Sequence, residues 1–375
     1  MEPAVDLTKL SAIAQRILDP KGPAPMKAMA AKGVAPGLKA FEIVTIVAIL
    51  SENADAKVAE TANATLASLP PPLLTGAIVP ELPAGVAATL APLYAKNLDV
   101  MERLLGLPQI PIDAVVLIAA RCSEAVSELI ATNEERLLAN PAIIEKLYMN
   151  KATRMSTADR TLELAVRNNI VLTGIPAFAE AAAEIVNQLV AEPSPEPTYD
   201  DLLFNETDLL AAALPIDPTK EDTHRVDETT GEEVVEEKFL SLEAKLREMT
   251  VTQKIRRAML GTPSERMILV RDANKNIARA AVKSPLIQEN EIVRIAASRN
   301  VAEDVLSIIA RSKDWTQKYQ VKLNLVNNPR TPFGFAAKLI SHLFEHDLKK
   351  LAMSRNVMGA VSTAAKQQLQ RKGKM

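Results

Sequence analysis

The chain has 375 residues, of which 48% are apolar but only 3% aromatic, with one cysteine and a formal net charge of −2. Such a length supports two or three domains, and a core poor in aromatics must be built from Ala, Leu, Ile and Val, which suits closely approaching helices and argues against sandwiches and barrels. The small net charge hides two opposed blocks: residues 238–375 hold 26 Lys and Arg against 11 Asp and Glu (+15), whereas residues 192–237 hold 15 Asp and Glu against 2 Lys and Arg (−13).

A lone Cys122 excludes an internal disulfide and fits a reducing compartment. The first ten residues show no basic stretch followed by an apolar one, so no signal peptide is expected, and the apolar run 41–50 is about half a membrane span. A cytoplasmic location without a transmembrane segment is the expectation.

Along the chain, Leu7, Leu10, Ile13, Ile17 and Leu18 give a helical stripe over residues 4–18 that stops at Asp19-Pro20. Residues 20–36 are rich in Pro, Gly and Ala and read as a connector, which makes 1–37 an N-terminal segment. From 38 to 191 the pattern becomes a series of short apolar helices separated by punctuation at Asp55, Pro70–Pro72, Pro108, Pro111, Asn140-Pro141 and Gly174 with Pro176. Pro141, Pro263, Pro285, Pro329 and Pro332 each follow Asn, Ser or Thr, a pairing that predicts helix starts. Residues 192–237 are acidic and Pro-rich, with little to bury in their second half, so a largely disordered linker is predicted. Within it, residues 200–214 form an amphipathic helical stretch whose Leu203, Phe204, Leu209 and Leu210 are candidates for a docking motif. Residues 238–375 return to short helices. There, 295–310 (IAASRNVAEDVLSIIA) and 351–366 (LAMSRNVMGAVSTAAK) share SRNV and the apolar positions around it, so one unit is used twice.

On phrases such as DAKVAETA from Asp55 and VNNPRTP from Val326, the chain resembles α-solenoid proteins of the HEAT and leucine-rich-variant type, over 38–191 and 240–370. The resemblance implies two helical-repeat domains joined by the acidic linker, with surfaces that bind another protein, and no activity.

The chemistry-bearing patterns are few. His342-Leu-Phe-Glu345-His346 matches the HxxEH signature of inverzincin metallopeptidases, which on one helix would set two histidines a turn apart for zinc. Asp347 is the only carboxylate among the residues after His346, so the third ligand is missing and no metal site is assigned. There is no GxSxG elbow, Walker A loop or dinucleotide-binding GxGxxG, and Cys122, in the helical run 115–130, reads as core rather than nucleophile. No catalytic residue and no cofactor are assigned.

The basic region has an internal geometry. Lys275, Arg279 and Lys283 are spaced four apart on one predicted helix, as are Lys318 and Lys322 on another. With Arg294, Arg299, Arg311, Arg330 and Arg355 they form a candidate stripe for an anionic partner. The expectation is a non-catalytic cytoplasmic adaptor or scaffold that binds protein partners through its solenoid surfaces. The alternative is nucleic-acid binding, with the same residues on phosphates, although Trp315, Tyr319, Phe333, Phe335 and Phe344 read equally well as core.

Overall fold

The structure is a computed structural model that describes residues 5–227, 229, 231–354, 356–371 and 373; Arg355 of the candidate stripe therefore lies outside the described residues. The described residues form 25 α-helices and one two-stranded antiparallel hairpin, so the chain is all-α in class. No helix among them is long and apolar enough to cross a membrane. The chain divides at the Gly174–Pro176 punctuation into two compact units, Met1–Gly174 and Ile175–Met375.

In the first unit the helices have 6 to 13 residues, and many of them begin on a side-chain cap or directly after a proline. Asn97 and Asn133 accept from the amides of Val100 and Arg136, while Pro23, Pro70, Pro83 and Pro111 precede their helices with extended backbone. Each helix is too short to be stable alone, and burial of an apolar face supplies the difference. Ala40–Leu50 packs on Ala12–Leu18, Pro71–Ala77 and Ala84–Tyr94; Ala84–Tyr94 packs on Ile112–Ala119, and that on Ala142–Met149. A second series runs through Pro71–Ala77, Leu98–Leu105, Glu124–Ala131 and Met155–Arg167. The core between them is aliphatic, as composition predicts, with Val44, Val47, Leu90, Val115, Ile118, Ile143 and Leu147 fully buried.

The second unit packs in the same manner. Val251–Leu260 touches Phe178–Ile185 and Lys275–Val282, Lys275–Val282 touches Glu303–Arg311, and Glu289–Ala297 touches Tyr319–Asn327. A single device recurs in both units. The Asn150 side-chain amide donates to the carbonyls of Ala119 (3.0 Å) and Cys122 (3.1 Å), and that of Asn328 donates to Ala296 (2.9 Å) and Ser298 (2.7 Å). Each asparagine thus satisfies two carbonyls left open at an earlier helix end, about thirty residues upstream.

The proline signals divide by their surroundings. Thr262-Pro263 starts a helix as predicted, with Thr262 accepting from the Glu265 amide in a capping box. Ser284-Pro285 and Asn328-Pro329 instead follow helix ends, and the next helices begin at Glu289 and Phe333. A proline pushes the residue before it toward extended backbone, which ends a helix as readily as it prepares one. The serines of the two SRNV sequences are equivalent: Ser298 and Ser354 close their helices at ψ 135°, and in each case the Asn two residues on donates its main-chain amide to the serine hydroxyl.

The acidic stretch 192–237, expected to be largely disordered, carries the helix Tyr199–Ala213 and strands β1 (His224–Val226) and β2 (Glu233–Val235), paired with Val226 opposite Glu233. Local composition underrates it because the burial comes from elsewhere in the second unit. Leu203 and Phe204 are buried, and the Phe204 ring lies 5.1 Å from the guanidinium of Arg256 and 4.8 Å from that of Arg257.

Candidate functional site

The predicted basic stripe is largely engaged within the second unit. Arg279 and Lys283 both reach Glu180, at 3.2 and 2.7 Å, and Glu180 is itself buried, so this pair neutralises an internal carboxylate. Lys318 pairs with Glu289 at 2.8 Å, Lys275 stands 4.0 Å from Asp304 with its side chain exposed, and Arg311 lies over the Phe335 ring at 5.5 Å. Arg294 donates to the Pro218 carbonyl. Lys322 is half-buried, and Arg330 is exposed. Of the docking quartet, Leu203 and Phe204 are buried and Leu210 half-buried, whereas Leu209 is 73% exposed.

The most developed constellation lies under the hairpin, and its key residues match no catalytic or metal-binding motif. Arg271 follows Pro263–Leu269, where its backbone amide closes the turn onto the Ile268 carbonyl and its side chain donates back to the Met267 carbonyl at 2.6 Å. The rest of its guanidinium faces the acidic segment, donating to Asp222 at 2.9 Å and to Glu233 at 3.3 Å, with only 5% of the side chain exposed. The Glu233 carboxylate also accepts from the Ser298 hydroxyl (2.6 Å) and the Arg299 backbone amide (2.8 Å), and the Asn300 side chain donates to the Glu233 carbonyl (3.2 Å). The SRNV turn makes this geometry: extended backbone at Ser298 turns the Arg299 amide away from the helix and leaves it free to bind an anion.

One carboxylate thus gathers a guanidinium, a hydroxyl and a main-chain amide, a full set of donors for an anionic oxygen pair. A cleft of about 300 Å³ lined by His224, Lys254 and Arg271 and another of about 240 Å³ lined by His224, Arg225 and Arg294 border the hairpin. His224 receives a hydrogen-bond partner in the Thr223 hydroxyl at 2.9 Å; burial first, then the charge of Arg271, holds its imidazole down at about 4. Sequence reasoning marked Arg299 but missed Arg271, Ser298, Asp222 and Glu233, because Ser298 looked like part of a repeat and Glu233 like one acid among many. The available signal was SRNV itself, whose serine and free amides suit an anion.

The remaining candidates lose their geometry. His342 falls in the turn after Phe333–Ile340, while Glu345 and His346 open the helix Glu345–Met353, so HxxEH is split by a helix boundary rather than carried on one face. No group of three or more metal-ligating side chains is assembled among the described residues. Cys122 lies in the turn between Ile112–Ala119 and Glu124–Ala131 rather than inside one helix; it is buried, and burial pushes its thiol up to about 11.

No family model matches the chain, and no curated protein or solved structure matches it with significance.

Proposed function

We propose that this protein is a non-catalytic adaptor built from stacked helical hairpins in the manner of an α-solenoid, whose second unit binds an acidic polypeptide partner. Helices that touch their next-but-one neighbours, and asparagine bridges that each span about thirty residues, support the repeat reading. The observation that carries the partner chemistry is Arg271, whose side chain holds two carboxylates, Asp222 and Glu233, from an acidic segment well upstream. A surface that already seats an acidic chain has the donors to recognise one. The buried free thiol of Cys122 suits the reducing cytoplasmic setting expected for such an adaptor.

An acidic protein is favoured over nucleic acid because the rows are interrupted by their own carboxylates: Glu180 holds Arg279 and Lys283, and Glu289 holds Lys318. The test titrates polyglutamate and a DNA duplex of equal charge against the full chain at about 50 and about 200 mM salt. A variant carrying Lys275→Glu, Lys322→Glu and Arg330→Glu leaves Glu180 paired. Polyglutamate should bind more tightly than the duplex and lose about tenfold in the variant, since three charges, two exposed and one half-buried, at about 0.5 kcal/mol each amount to that factor. Tighter binding of the duplex would turn the reading to nucleic acid, and binding of neither would remove it.

A further inference from the structure

The hairpin that supplies Glu233 is held mainly by polar contacts, with Thr223 its one buried residue among those described. Its strands are three residues each, and no residue within them is fully buried. An isolated two-stranded hairpin of that size has marginal stability in water, so what keeps it in place is the donor set beneath. That donor set cannot be left empty without penalty. Arg271 is almost wholly buried, and removing Asp222 and Glu233 together would leave its charge facing neutral acceptors, the Met267 carbonyl and the Ser298 hydroxyl, with no carboxylate from the hairpin. Loss of the hairpin is therefore disfavoured, but exchange of its carboxylate for another is not.

We infer that the Arg271, Ser298 and Arg299 donors form a docking site for an extended, carboxylate-bearing segment of a partner protein, which enters by displacing the hairpin 222–236. The partner's carboxylate takes the place of Glu233, accepting from the guanidinium, the hydroxyl and the main-chain amide, while Asn300 holds the adjoining carbonyl as it now holds that of Glu233. Once the hairpin has left, Lys254, Ile268 and Asp272 of one cleft and Arg294 and Ala297 of the other remain to face the partner's neighbouring side chains. Because the hairpin is tethered, it competes at an effective concentration on the order of millimolar, so the site is masked until a partner of sufficient local concentration arrives. This inference deepens the acidic-partner reading by naming its seat.

The probe is a synthetic peptide of residues 221–237 of this chain, added in trans to the full-length protein, with a control peptide in which Glu233 is replaced by Gln. In the full chain, Asp222→Asn with Glu233→Gln removes the two hairpin charges that reach Arg271 with side chains of nearly the same shape. The released variant should bind the peptide at least about tenfold more tightly than the unaltered chain, and the control peptide at least about tenfold more weakly than the Glu233 peptide. Hydrogen exchange at the Arg299 amide should quicken in the released variant and slow again when the peptide binds. If the double variant fails to fold, Glu233→Gln alone, which leaves Asp222 on Arg271, carries the same measurements. Equal affinity for the two peptides, or an Arg299 amide indifferent to the bound peptide, would overturn the docking site. That result would leave polyglutamate binding elsewhere on the basic surface intact, so the two readings fail separately.

Discussion

Arg266 grips Glu291 through two parallel hydrogen bonds of 2.9 Å each, from Nε and from a terminal nitrogen, with both side chains out of contact with solvent. Glu291 also accepts from the Gln288 amide at 2.9 Å and so caps the helix Glu289–Ala297, while Arg266 donates to the Gly261 carbonyl. The pair ties two helix starts together. Arg266→Met alone leaves a buried carboxylate without its partner and should cost about 3–5 kcal/mol in denaturant unfolding. Adding Glu291→Leu to it should recover a substantial part of that loss, because the orphaned charge goes with its side chain.

Phe204 and Leu209 lie on the same helix, Tyr199–Ala213, with opposite fates. Phe204→Ala removes a buried ring that contacts Arg256 and Arg257 and should destabilise by about 3–5 kcal/mol. Leu209→Ala, at an exposed position, should fall within about 0.5 kcal/mol of the parent. Equilibrium unfolding of the two variants side by side checks the contrast, and equal effects would contradict the helix's orientation on the second unit.

Cys122 should be silent to thiol reagents in the folded protein. Its thiol is buried, raised to about 11, and lies 3.4 Å from the Asn150 amide. Thiolate is the reactive form, so modification should track opening of the first unit rather than reagent concentration. Asn150→Ala, which frees the carbonyls of Ala119 and Cys122, should speed that modification and cost about 1–3 kcal/mol.

His224 gives the hairpin region a direction in pH. Its folded value of about 4 lies below the ordinary 6.5, because burial and Arg271 both oppose a second positive charge there, with Asp222 and Glu233 acting the other way. Between 6.5 and about 4 the unfolded chain takes up a proton that the folded chain refuses, so stability falls as pH drops through that window. His224→Gln should lose less stability than the parent over the same interval, measured as the difference between their unfolding midpoints at each pH. Parallel curves would show that His224 does not titrate in this way.

The helical class and the recurrence of SRNV were legible because periodicity, caps and motif repetition are local properties of the chain; that Ser298 and Ser354 each close a helix was not. Helix starts were legible only in part: Thr262-Pro263 and Ser284-Pro285 are chemically alike, yet one begins a helix and the other follows one, since both outcomes satisfy the backbone that proline imposes. The split of His342 from His346 was hidden for the same reason, as five residues do not reveal where a turn intervenes.

By itself the sequence determined that this protein would be helical, aliphatic in its core and divided into acidic and basic blocks, because hydrophobic period, residue volume and charge are written residue by residue. Only the tertiary structure decided where the charges go. It turned Arg279 and Lys283 onto a buried glutamate and brought Asp222 and Glu233 to Arg271. The physical reason is that an ion pair in a folded chain is chosen by distance and burial, and neither quantity exists until helices far apart in sequence have packed.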